Sequence, residues 1–259
     1  MVGSVLKGGL GNMMFQIAAA EAVAVEINAD AIFYPLTSGI IHRQPDAYIN
    51  NIFRNVKFDQ DPVYLNTYAE PRFSYSELPK YDHFLYDGYF QSEMYFSEYS
   101  DHIKNMFGPT PDFIDETLKR YPDILTSCGI HVRRGDFLKF PDIHPVLSPS
   151  YFSKGFDTIN EISKDVSKTY VFTNDLDWCV NNLLIDNVEF ISNDNDWEDL
   201  WMMSMCKHYV ISNSTFSWWG AWLGASSNSI IIAPDTWFGP RGYQDTQDLY
   251  CKDWIRIKN

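Results

Sequence analysis

Cys128-Gly129-Ile130-His131-Val132-Arg133-Arg134-Gly135-Asp136 is the stretch from which the fold is read. A short apolar run of strand character ends in two adjacent arginines, and Gly135 breaks it. Two guanidinium groups at a strand's carboxyl end suit an anionic ligand. Arginine donates in bidentate fashion to phosphate oxygens and keeps its charge at any working pH. The same residues also permit a plain surface ion pair between Arg133 or Arg134 and Asp136 or another acid.

Downstream the chain alternates regularly. Ser148-Pro149-Ser150 opens a helix over 151–162, with serine at the cap and proline in the first turn. Strands are expected at 169–173, 188–192, 208–212 and 229–233, with helices at 178–184, 196–205 and 217–223. Apolar strands alternating with helices predict an α/β fold whose parallel sheet is covered on both faces. Ligands of such sheets bind beyond the strand carboxyl ends. His131, Arg133 and Arg134, then Asn174 and Asp175, then Asn213, Ser214 and Thr215 all fall at such ends. Helix capping alone would also account for the last three.

Upstream, a strand at 4–6 leads into the turn Gly8-Gly9-Leu10-Gly11-Asn12 and a helix over 13–27. That helix is apolar nearly all round, so it is expected to be buried. The arrangement resembles a dinucleotide fingerprint but fails it. Met14 stands where the pattern needs glycine, and Asp30 precedes the next expected strand, 31–34, instead of ending it. Residues 36–111 are irregular and aromatic, with Asp87-Gly88-Tyr89-Phe90-Gln91-Ser92-Glu93 leading from a strand into a helical segment around 94–107. Gly108-Pro109-Thr110-Pro111 reads as a linker, followed by a helix over 112–121. Two domains are expected, 1–111 and 112–259.

The chain of 259 residues carries a formal net charge of −14, against nucleic acid or an anionic membrane surface as partner. Any phosphate must therefore be met by locally gathered positive charge. The four cysteines, Cys128, Cys179, Cys206 and Cys251, match no zinc spacing and read as core residues in a reducing compartment. Asp59-Gln60-Asp61, Asp175-Leu176-Asp177 and Asp194-Asn195-Asp196 are the triplets that a metal-dependent sugar transferase could use; an acid-rich chain also produces such triplets by chance. His42, His83, His102, His144 and His208 show no pairing by spacing. The tryptophans of Phe216-Ser217-Trp218-Trp219-Gly220-Ala221-Trp222-Leu223 read as a core helix. With no charged leader and no long apolar run, a soluble cytoplasmic protein without an integral membrane segment is expected.

Gly8-Gly9-Leu10-Gly11-Asn12-Met13-Met14-Phe15-Gln16, Gly88-Tyr89-Phe90-Gln91-Ser92-Glu93, His131-Val132-Arg133-Arg134-Gly135-Asp136, Phe172-Thr173-Asn174-Asp175 and Ser212-Asn213-Ser214-Thr215-Phe216-Ser217-Trp218-Trp219-Gly220-Ala221-Trp222 together resemble the α-1,2-fucosyltransferases of glycosyltransferase family 11. Met13 and Phe137 depart from the family's usual Gln and Tyr, changes that could alter acceptor contacts. The resemblance implies a GT-B-like fold, with two Rossmann-like domains facing a cleft. It implies a GDP-fucose donor, a galactose-terminated glycan acceptor, no cofactor and no metal, and inversion at the transferred carbon. It implies that Arg133 holds the β-phosphate and that Arg134 orders the loop or shares that contact. His131 and Asp175 would address the guanosine, and Ser214, Thr215 and Phe216 would line the phosphate and base site. Gly11 and Asn12 would face fucose and acceptor. Asp136 and Glu93 are the candidates to take the acceptor proton, with Asp136 alternatively bracing the arginines. Two competing readings are a metal-dependent transferase and a non-catalytic nucleotide-sugar binder.

Overall fold

The computed structural model describes residues 1–34 and 44–259. The expected irregular segment therefore lies partly outside the described residues, and His42 with it. Its contacts divide the chain into two compact units. One comprises Met1–Gly108 with Asp245–Cys251, the other Pro109–Gln244 with Lys252–Asn259.

The first unit contains β1 (Val2–Ser4), α1 (Leu10–Glu26), β2 (Asn66–Ala69), β3 (Phe84–Asp87) and α2 (Ser100–Phe107). Its strands are parallel, in the order β1-β3-β2. The strand expected over 31–34 is reduced to isolated bridges, Val2 with Ala31 and Phe33 with Phe58. α1 begins at Leu10, earlier than its apolar spacing suggests, so Gly11 and Asn12 belong to its first turn. Two features set that start. Gly8 turns the chain at φ +80°, where a side chain would be strained. Gln16, fully buried in an otherwise apolar helix, accepts from Lys7 N at 2.9 Å and donates to Lys7 O at 3.1 Å. One carboxamide thus satisfies both backbone groups of the turn. Several aromatics of the irregular segment are core residues: Tyr48, Phe53, Phe90 and Phe96 are fully buried.

The second unit contains α3 (Pro111–Arg120), β4 (Cys128–Val132), α4 (Pro149–Ile162), β5 (Thr169–Thr173), α5 (Leu176–Asn182), β6 (Val188–Ile191), α6 (Asp196–Ser204), β7 (His208–Val210), α7 (Thr215–Gly224), β8 (Ile231–Pro234) and β9 (Ile255–Ile257). The sheet order is β6-β5-β4-β7-β8-β9, and each pair is parallel. Alternation along β4 serves both faces. Cys128, Ile130 and Val132 share one core cluster with Tyr151, Phe152 and Ile159 of α4. Gly129 turns the other way; a β-carbon there would stand 3.0 Å from Cys206 Sγ, just beyond α6. His131 shares that second face, against Phe216 of α7. Trp218 and Trp219 are fully buried, and Trp218 stacks on Trp222 at 5.9 Å, as a core helix requires. The four cysteines are free and buried. Among the described residues no helix is long and apolar enough to cross a membrane.

Gln16→Leu removes both partners of Lys7's backbone while keeping side-chain bulk. It should cost about 1–3 kcal/mol of stability, read as a lowered urea midpoint with an unchanged slope. An unshifted midpoint would show that the turn holds without the carboxamide.

Candidate active site

In the second unit the chain fills the sheet from β4 through β5 to β6, then returns to place β7 on the opposite side of β4. Such a reversal opens a crevice at the strand carboxyl ends. The β4–β7 ladder runs as far as Ile130 with Val210. Beyond it the Ser212 hydroxyl continues the connection, donating to His131 O at 2.6 Å and accepting from Arg133 N at 3.1 Å. β4 and β7 are thereby fastened just where the arginines begin.

The two arginines have different surroundings. The Arg134 backbone N–H donates to Asn174 Oδ1 at 2.9 Å, and its Nε to Asp175 Oδ2 at 3.0 Å. Its guanidinium lies 3.9 Å from the Trp178 ring centroid, a close cation–π contact. Gly135 permits this junction, since a β-carbon there would stand 2.4 Å from Asn174 Nδ2. Asp175 is occupied as well: its second carboxylate oxygen caps α5, accepting from Trp178 N at 3.3 Å. Arg134, Asp175 and Trp178 thus form a locked unit that holds the turn. Arg133 pairs with Asp136 at 2.8 Å, and its guanidinium carbon lies 5.6 Å from the Phe137 ring centroid. Arg133 Nε is buried with no hydrogen-bond partner among the described residues.

His131 is buried at the same strand end. Burial, reinforced by the neighbouring positive charge of Arg133, pushes its pKa down to about 3. Its Nδ1 is also without a partner among the described residues. The ring lies 5.0 Å from that of Phe216, in the first turn of α7. Ser214 occupies the cap position of α7 in extended conformation, yet its side chain makes no capping hydrogen bond. Simple capping therefore does not account for Ser214. Asn213 donates from Nδ2 to Pro145 O at 3.1 Å and to Trp237 O at 3.0 Å, tying two loops to the β7 end. Its Oδ1 is buried without a partner. His131, Arg133 and Asn213 thus leave unpaired polar atoms at one sheet end, beside the amino terminus of α7, whose dipole favours an anion.

Gly11, Asn12 and Glu93 belong to the first unit. Asn12 Oδ1 accepts from Gln91 Nε2 at 3.0 Å, beyond the carboxyl ends of β1 and β3. Glu93, partly buried, opens a short 3-10 turn behind the Ser92 cap. Of the aspartate triplets, Asp59 accepts from Asp61 N in a local turn at 3.1 Å, and Asp175 is committed as described. Among the described residues no three His, Cys, Asp or Glu side chains are grouped to hold a metal ion.

Asn174 and Ser212 are residues that motif reading passed over in assigning roles; each acts on a neighbour's backbone, which spacing does not reveal. Phe137 proves buried, beneath Arg133 and against His144.

The glycosyl transferase family 11 model matches residues 5–258. The chain belongs to glycosyltransferase family 11. This family 11 chain is a glycosyltransferase, and it is 30% identical to an α-1,2-colitosyltransferase of Escherichia coli over 98% of its own length and 97% of that protein's. It is 28% identical to a galactoside α-(1,2)-fucosyltransferase 1 of Leontocebus fuscicollis, over 44% of this chain and 34% of that one. The family 11 chain shares its fold with the NodZ α-1,6-fucosyltransferase co-crystallised with GDP, at a TM-score of 0.53 and 12% identity, covering 85% of this chain and 91% of that one. The fold is thus α/β with parallel sheets, of the GT-B-like kind.

His131 should stay neutral throughout physiological pH. Its folded pKa lies below the unfolded value, so the unfolded chain binds the proton first, and stability is lost as pH falls from about 6.5 toward about 3. His131→Gln should therefore lose less stability than the parent between about pH 7 and about pH 5, measured by urea melts. Equal losses in both would refute the burial argument.

Proposed function

We propose that this enzyme transfers L-fucose from GDP-β-L-fucose to the 2-hydroxyl of a terminal β-galactoside, with inversion to an α-1,2 linkage. The observation that carries the reading is Arg133, placed at the strand reversal beside buried His131 and the amino end of α7. Rupture of the sugar–phosphate bond puts negative charge on departing GDP. A fixed guanidinium whose contact strengthens as that charge grows lowers the barrier. Arg133 takes this role, with Asp136 bracing it through their ion pair. Arg134 orders the turn through Asp175 and Trp178. Ser214, Thr215 and Phe216 line the phosphate and base site, His131 addresses the guanosine as a neutral imidazole, and Gly11, Asn12 and Glu93 serve the sugars. The names of the relatives support the linkage and the galactoside acceptor.

One observation favours a second donor. The full-length relative at 30% identity is named for colitose, which is L-fucose without its 3-hydroxyl. Supplying GDP-fucose and GDP-colitose separately decides between them.

Arg133→Ala should lower turnover by about 10²–10³-fold with an unchanged circular dichroism spectrum, and activity of the parent should survive EDTA. Near-normal transfer by the variant would sink the assignment of Arg133. Loss of activity in EDTA, restored by a divalent ion, would move the assignment to a metal-dependent transferase.

A further inference from the structure

His144 showed no partner by spacing, yet it sits in a built environment. Its imidazole stacks on Phe137, with ring centroids 4.5 Å apart and planes inclined by 16°. Phe238 lies 5.9 Å from it, tilted by 50°. Phe137 is itself the ring against which the Arg133 guanidinium rests, at 5.6 Å. The loop bearing His144 is held by backbone rather than by apolar burial. His144 N donates to Phe140 O at 2.9 Å, Gly239 N to Ile143 O at 3.0 Å, and Arg241 N to Asp142 O at 2.9 Å. Asn213, at the end of β7, adds its bond to Pro145 O. A half-buried ring on a loop tied from three sides has little freedom. Burial, helped by Arg133, pulls its pKa below the usual histidine range, against the opposing pull of Asp136. The neutral form avoids a second cation close to Arg133.

We infer that His144 is a positioning residue for the phosphate-binding arginine: it fixes Phe137, and Phe137 supports the guanidinium of Arg133. This rests on the proposed role of Arg133. The stack uses the face of the imidazole, and its Nδ1 is buried without a partner among the described residues. What the position demands is a flat ring, and the nitrogen is incidental.

The test compares His144→Ala, His144→Gln and His144→Phe by steady-state kinetics and by calorimetric titration with GDP. Misplaced Arg133 should lower kcat by about 10²-fold in His144→Ala, weaken GDP binding, and leave the acceptor KM nearly unchanged. His144→Gln keeps polar atoms but no ring, so it should be equally impaired; it also carries the test if the alanine variant fails to fold. His144→Phe should recover most of the loss. In an Arg133→Ala background, removing the ring should weaken GDP binding no further, because the two residues act through one contact. A phenylalanine variant as poor as the alanine variant would overturn the inference and make the imidazole nitrogen a direct ligand contact. Full additivity with Arg133→Ala would overturn it too. A parent that binds GDP but transfers neither sugar would remove the proposed function while leaving the GDP comparison intact.

Discussion

The Ser212 hydroxyl is the contact on which the site depends. Two parallel strands must separate where one of them stops pairing, and the separation exposes backbone groups that need partners. β4 and β7 meet this need with one side chain, which serves His131 O and Arg133 N together. Both strand ends are thereby tied to one hydroxyl. Arg133 leaves β4 at a fixed point, and α7 begins only a few residues after the same serine. The arrangement is available only because the chain reverses its direction of filling at β4. A sheet built outward in one direction would have placed β7 beside β6, away from β4.

Adjacent arginines are brought to separate tasks by elementary backbone geometry. Successive backbone N–H groups along a strand turn to opposite neighbouring strands. The Arg134 N–H therefore meets Asn174 at the β5 end, where Asp175 and Trp178 receive its side chain, while the Arg133 N–H meets Ser212 beyond β7 and its side chain meets Asp136 and Phe137. Arg134 is the more tightly held of the two, whereas Arg133 keeps an Nε without a hydrogen-bond partner among the described residues. An overall charge of −14 does not oppose this, since screening over about 8–10 Å confines the contest to immediate neighbours.

Much of the second unit was legible because its strands are apolar and separated by well-marked helix caps. Ser148 and Asp175 cap α4 and α5 through side-chain acceptors, as their residue types suggest. The arginine pair and the Asn213–Phe216 stretch were legible for the same reason: strand ends are visible as breaks in apolar runs. Elements held by single bonds were not. The strand expected over 31–34 has only isolated bridges, and β9, three residues with two of them exposed, has too little apolar pattern to be seen. The start of α1 was misplaced because Gln16 reads as a polar intrusion in an apolar helix, whereas its bonds to Lys7 are what define the turn. His144 could not be singled out, since its value lies in a stack with Phe137, seven residues away in sequence and fixed only by the loop's backbone bonds.

The course of the chain near its end bears on inheritance. Asp245–Cys251 is part of the first unit, whereas the residues on both sides of it belong to the second. The polypeptide therefore passes between the units at three places in sequence. A single recombination near Gly108 would exchange the second unit but carry along a foreign 245–251 segment, including Asp248, whose carboxylate holds Tyr75 N at 3.0 Å. Exchanging the second unit alone between relatives would thus require crossovers at all three junctions, after residues 108, 244 and 251.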